Sequence, residues 1–314
     1  MEVSMVKRYL DVNLSDIEKM TKKDKLDSIK LSEGRTLVTE VIGAFPGMLG
    51  DISNAELAAA FGSDILLLNV YDVDKPYFYG IEADNIIGEI KKRTGRLVGV
   101  NLEPVDESLD MVQEKRSIAP GRTAKLENVK KLIDDGCDFI VLTGNPATGV
   151  TNEKIQHSIK EIRKHFGQEI MIFAGKMHSA GDINEIGSKL YSKELALDFI
   201  EAGADVLLLP APGTVPGFTM EMAKEIIDLA HDKDTLTLTA IGTSQEGSDQ
   251  DTIRRIALMS KMAGTDMHHV GDAGICPGVS TPENIMAYSI VIKGKRHTYR
   301  RMARTIEGGK DGII

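Results

Sequence analysis

The chain has 314 residues, 42% of them hydrophobic, and a formal net charge of −9, which allows a large core and disfavours a surface built for nucleic acid or an anionic membrane. Its two cysteines, Cys137 and Cys276, stand far apart, against a disulfide scaffold or a thiolate zinc site and in keeping with a reducing cytoplasm. No stretch approaches the roughly 20 apolar residues of a membrane span and no signal-peptide core is visible, so a soluble, cytoplasmic protein with no membrane or nucleic-acid partner is expected.

In chain order, residues 1–35 read as an extra helical segment, with LSDIEKMTKKDKLDSIKLSEG at its centre. From residue 36 a small pattern recurs four times: FGSDILLLN (61–69), DGCDFIVLT (135–143), AGADVLLLP (202–210) and AGTDMHHVG (263–271). Each has Gly, a small residue, Asp and a short run that is apolar in three of the four copies. Gly suits the left-handed end of a helix, and an apolar run suits a strand buried on both faces. Between these copies lie TLVTEVIGA (36–44), RLVGVNLEP (96–104), EIMIFAGKM (169–177) and TLTLTAIGT (235–243). Strand starts are thus expected near residues 36, 64, 96, 138, 170, 205, 235 and 266, each strand followed by a segment of helical apolar spacing. Such alternation predicts parallel strands with crossover helices, closed as a single (β/α)8 barrel over 36–314 rather than opened as a doubly wound sheet. The eighth helix is expected over 281–305. Its basic run, KGKRHTYRRMAR (293–304), reads as a solvated or inter-subunit face, consistent with a homo-oligomer.

Function in such barrels sits at the carboxyl ends of the strands. Aligning the four Asp-containing copies puts Asn69, Thr143, Pro210 and Gly271 at one level, with Leu67, Val141, Leu208 and His269 below them. Aligning the other four strands on their ends groups Gly43, Glu103, Lys176 and Gly242 above Val41, Asn101, Ala174 and Ala240. In this register Asn69, Asn101, Glu103, Thr143, Asn145, Lys176, His178 and His269 converge on one cavity, while Glu40 and His268 point toward the helices. His268 and His269 replace aliphatics of the other three copies. Burying an imidazole without a partner costs about 1–3 kcal/mol, so at least one of the pair is expected to have a polar role.

Lys176 could form a Schiff base with a carbonyl, or serve as a cation that pairs with Glu103 or binds an anion. Glu103, His178 and His269 could hold a divalent metal, or move protons as general acid and base. Glycine-rich loops after the seventh and eighth strands suit a phosphate, with Gly242, Thr243, Ser244 and Gly271 as candidate contacts. Asp272 fits that role poorly. The loops 43–54 and 210–219 are candidate lids, and the stretch 103–129 is long for a strand-to-helix loop.

VLTGNPATG with its preceding GCD, the GAFPG loop and the alternating strand pattern resemble the BtpA family of TIM-barrel proteins, within the ribulose-phosphate-binding-like barrels. FIEAGADVLLLPAPG is similar to a strand of the phosphoenolpyruvate mutase and isocitrate lyase barrels, whose cysteine-containing catalytic signature is absent. The resemblance implies a barrel and small, often phosphorylated metabolites. The function expected is aldolase, lyase or isomerase chemistry on a small, anionic carbonyl compound. The alternatives are a metal-dependent hydrolase or epimerase, and a non-catalytic sugar-phosphate sensor or assembly factor.

Overall fold

Eight short parallel strands close on themselves in the order of the chain. The computed structural model describes residues 6–109, 114–179 and 190–304; residues 1–5 of the expected helical segment, 110–113 of the long loop and 305–314 of the expected barrel lie outside them. The strands are β1 Thr36–Ile42, β2 Ile65–Asn69, β3 Leu97–Leu102, β4 Phe139–Leu142, β5 Met171–Gly175, β6 Val206–Pro210, β7 Leu236–Ile241 and β8 Met267–Val270. The helices that follow them are α3 Asn54–Ala60, α4 Ile86–Thr94, α5 Leu126–Asp134, α6 Asn152–Phe166, α7 Lys193–Ala202, α8 Met220–Asp232, α9 Gln250–Ala263 and α10 Pro282–Ala303, and before the barrel come α1 Leu14–Ile17 and α2 Lys22–Lys30. The fold is a (β/α)8 barrel. Each expected strand start falls within one residue of the observed one.

Two apolar layers follow from the alternation of side chains along each strand. Leu66, Leu68, Val98, Val100, Ile140, Leu142, Leu207 and Leu209 pack outward against the helices. Ile65, Leu67, Phe139, Val141, Met171, Phe173, Leu208 and Leu238 fill the interior, and Tyr9, Val12, Ile17 and Ile29 of the N-terminal segment join that inner cluster. At this end the Tyr9 hydroxyl donates to the Asp64 carbonyl at 2.9 Å and accepts from the Leu97 amide at 3.1 Å. Phe139 stacks on Phe173 with ring centroids 4.4 Å apart. Gly99 makes room for this pair, since a Cβ there would lie 2.3 Å from the Phe139 ring.

The recurring Asp has a structural role. Asp64, Asp138, Asp205 and Asp266 each accept the backbone N–H near the start of the preceding strand, from Leu37, Val98, Ile172 and Thr237 respectively, at 2.8–2.9 Å. Each carboxylate also meets a cation or imidazole: Lys293 and Arg301 at Asp64, Lys25 and Lys91 at Asp138, Lys22 and Arg163 at Asp205, and His231 at Asp266. These contacts tie neighbouring strands together at the end of the barrel away from the mouth.

Two strands sit one residue out of the expected phase. Val41 and Ala174 belong to the outer layer, while Val38 and Phe173 belong to the inner one. A one-residue slip reverses every side chain of a strand. Glu40 therefore faces the interior, not the helices. His268 does face the helices, with Nδ1 3.2 Å from the Tyr288 hydroxyl and Nε2 3.0 Å from the Gly34 carbonyl.

Candidate active site

The carboxyl ends of β1, β2, β3, β4 and β8 bring together a continuous, largely buried polar network. Asn69 is its hub. The Asn69 amide nitrogen donates to Asn145 Oδ1 and to Asp272 Oδ2, both at 2.9 Å. The Asn69 amide oxygen accepts from Asn101 Nδ2 and Asn145 Nδ2 at 3.1 Å, and from the Val70 amide at 2.9 Å. Val70 holds φ 59°, a left-handed geometry that is costly for a β-branched residue and that packing around this site must sustain.

Glu103, just beyond β3, accepts from the Asn145 amide at 2.9 Å and from Arg122 at 2.6 Å. Toward β8, His269 Nε2 lies 2.8 Å from Glu40 Oε2, but neither ring nitrogen makes a well-aligned hydrogen bond. Glu40 also meets the side chains of Asn69 and Asp272. Glu246 accepts from the Ala273 amide at 3.2 Å and its carboxyl closes over Gly271.

Burial dominates the electrostatics. It pushes the Glu40 carboxyl up to about 8, assisted by the negative charges of Glu246 and Glu103. It pushes Asp272 up to about 7, assisted by Glu40, and raises Glu246. The His269 imidazole is pushed down to about 4 against the opposing pull of Glu246 and Asp272. Two contacting carboxyls, one buried and the other largely so, cannot both ionise cheaply, so burial and their mutual repulsion favour one shared proton on the Glu40 and Asp272 pair near neutrality. Beside a neutral imidazole, that pair can give a proton to one atom of a bound molecule and take a proton from another.

The other expected site residues are placed differently. Lys176 is buried just past β5, where Gly175 takes φ 152° and runs so close to β6 that a Cβ would collide with the Leu208 carbonyl. Met177, not Lys176, enters the inner cluster, and its side chain covers Gly242. Burial and then the Lys176 charge push the His178 imidazole down to about 4. Glu103 is held by Arg122 and the Asn145 backbone amide, and among the described residues no three His, Cys, Asp or Glu side chains, the expected Glu103, His178 and His269 included, are disposed to hold a metal ion. Thr143 is buried at the end of β4 with no partner for its hydroxyl. The Thr243 hydroxyl is engaged by the Thr214 carbonyl at 2.9 Å and by Gln245. Ser244 takes a left-handed turn, and Gly271 lies against a carboxyl, a poor place for phosphate. Glu40 and Glu246 are members of the network that the sequence reading missed; strict alternation from Val38 along β1 was the signal for Glu40.

No curated protein matches the sequence. Solved structures similar to it include thiamine phosphate pyrophosphorylase from Pyrococcus furiosus, with 12% identity, 86% of this chain and 98% of the other covered, and a TM-score of 0.45. Another is 2,3-dimethylmalate lyase, a PEP mutase/isocitrate lyase superfamily member, with 15% identity, 79% and 80% covered, and a TM-score of 0.48. Likeness at that level carries nothing about chemistry. The barrel implied by the BtpA resemblance is present, but the family match lies elsewhere. The sequence model described as a domain of unknown function, DUF7916, matches residues 10–308, and the chain belongs to that family.

Proposed function

We propose that the protein is an acid–base enzyme that enolises a small carbonyl metabolite, the step common to aldol, lyase and isomerase chemistry. The observation that carries this reading is the contact of Glu40 with both His269 and Asp272, where Glu40 and His269 are buried and Asp272 is half-buried. In the step, the carboxylate of the pair takes a proton from the carbon beside the carbonyl. The C–H electrons form the C=C bond, and the protonated carboxyl delivers its proton to the carbonyl oxygen. Where an α-hydroxyl makes the product an enediol, reprotonation at the former carbonyl carbon, with that hydroxyl's proton taken up by the pair, gives an isomer. Addition of the enol carbon to a second carbonyl, whose oxygen takes a proton from the pair, gives an aldol product, and the reverse of that addition is the lyase direction. A non-catalytic sensor would be favoured by a mouth without adjoining acid and base. Lys176, buried, and His178, half-buried and near enough to feel its charge, are suited to bind or activate a carbonyl or an attached anion.

Isotope exchange tests the reading. A panel of aldoses, ketoses, 2-oxo acids and their phosphates is incubated with the protein in D2O and followed by proton NMR. At least one should lose its α-proton signal in a protein-dependent way, and Glu40→Gln and Asp272→Asn should each slow the exchange by about 100-fold. Exchange with no member of the panel, or exchange indifferent to both substitutions, would contradict it.

A further inference from the structure

Apart from the two ring nitrogens of His269, one a donor and one an acceptor, the hydrogen-bonding capacity left over at this mouth is mostly for accepting. Among the described residues Asn101 Oδ1 and Glu246 Oε2 have no partner, and the Thr143 hydroxyl has none either. All three side chains are at least nine-tenths buried, so each is a costly vacancy unless a bound molecule meets it. A carboxylate or a fully ionised phosphate ester offers only acceptors in return. Charge points the same way: Glu40, Glu103, Glu246 and Asp272 all belong to the network, and Arg122, a cation of that network, already pairs with Glu103.

From these unpaired groups we infer that the mouth, with Asn101 and Thr143 at the ends of β3 and β4 and Glu246 on the loop after β7, binds the uncharged, hydroxyl-bearing part of a polyhydroxy compound, and excludes its anionic group. Hydroxyls donate to Asn101 Oδ1 and Glu246 Oε2 while accepting from Thr143, which an ionised phosphate oxygen cannot do. The inference deepens the enolisation reading, since a hydroxyl beside a carbonyl is what turns an enolate into an enediol. An anionic group on the same molecule would extend away from this network.

Binding can be tested without catalysis, because sugar alcohols have the hydroxyls and no carbonyl. Ligand-observed saturation-transfer NMR and calorimetry would be run on the whole chain with erythritol, ribitol, xylitol, arabinitol, sorbitol and mannitol, alongside inorganic phosphate and 2-amino-2-deoxy-sorbitol. At least one neutral sugar alcohol should bind, unaffected by inorganic phosphate, and weaken about tenfold in Thr143→Val and in Asn101→Leu. Thr143→Val preserves shape, so it keeps the test valid if Asn101→Leu fails to fold. Binding by none of the sugar alcohols, displacement of them by phosphate, or binding of the amino compound alone would overturn the inference. Sugar-alcohol binding with no isotope exchange would instead defeat the enolisation reading while leaving this one standing.

Discussion

Glu40 holds a proton that its surroundings do not let go. The ordinary carboxyl loses its proton near 4.5, whereas in the folded chain Glu40 keeps it to about 8. Between those values the folded state binds more protons than the unfolded one, so this group makes the fold less stable as pH rises, and its penalty levels off above 8. Glutamine mimics the protonated form at every pH. Glu40→Gln should therefore stabilise the protein by an amount that grows from pH 4.5 to 8 and then stays constant, reaching a few kcal/mol. Denaturant unfolding at a series of pH values measures it. A difference independent of pH would show that Glu40 is ionised throughout. His269 acts in the opposite sense: its imidazole is lowered to about 4, so it favours folding above 6.5, and that contribution is lost as pH falls toward 4. A stability gain paired with loss of exchange activity in Glu40→Gln would fit a site that tolerates strain for function.

At the scale of strands and helices, the recurring Gly, small residue and Asp mark where a helix ends and a strand begins, and the Asp pins the strand before it. Asp138, like Asp64 and Asp205, meets one strand amide and two cations, here the Val98 amide, Lys25 and Lys91. Asp138→Ala removes the acceptor of a buried amide and leaves two cations unpaired, so it should cost about 3 kcal/mol in chemical denaturation. A loss below about 0.5 kcal/mol would mean that the repeated Asp is incidental. The strand positions were legible because Gly turns and apolar runs bound each element on both sides. Phase was not equally legible. In β1 and β5 both faces carry apolar residues, as in any strand buried between a core and helices, so hydrophobicity alone does not say whether Val41 or Glu40 turns inward. The Glu40 contacts with His269 and Asn69 settle it, and the close run of Gly175 against β6 shows why the end of β5 does not align with the end of β3.

For the molecule as a whole, two ends of one barrel have been given different work. The closed end is apolar and clamped: Tyr9, Val12, Ile17 and Ile29 fill it, and Asp64 meets Lys293 and Arg301 there. The mouth is polar and incompletely satisfied. That division was legible in outline, since Asn69, Asn101, Glu103, Asn145 and His269 were all placed at strand ends by sequence. Their partners were less so, because Glu246 and Arg122 sit on loops whose paths no periodicity records. Among the described residues no helix is long and apolar enough to cross a membrane.

The most direct test of the shared proton is a carboxyl titration by carbon NMR, on protein labelled at its Asp and Glu side-chain carboxyls, compared with Glu40→Gln and Asp272→Asn. One carboxyl signal should remain in its protonated position at pH 7 and move only above that, and both substitutions should remove or shift it. If every carboxyl has finished titrating below about pH 5, near the ordinary range of such groups, the Glu40 and Asp272 pair holds no proton at neutrality and the acid–base account of the mouth is wrong.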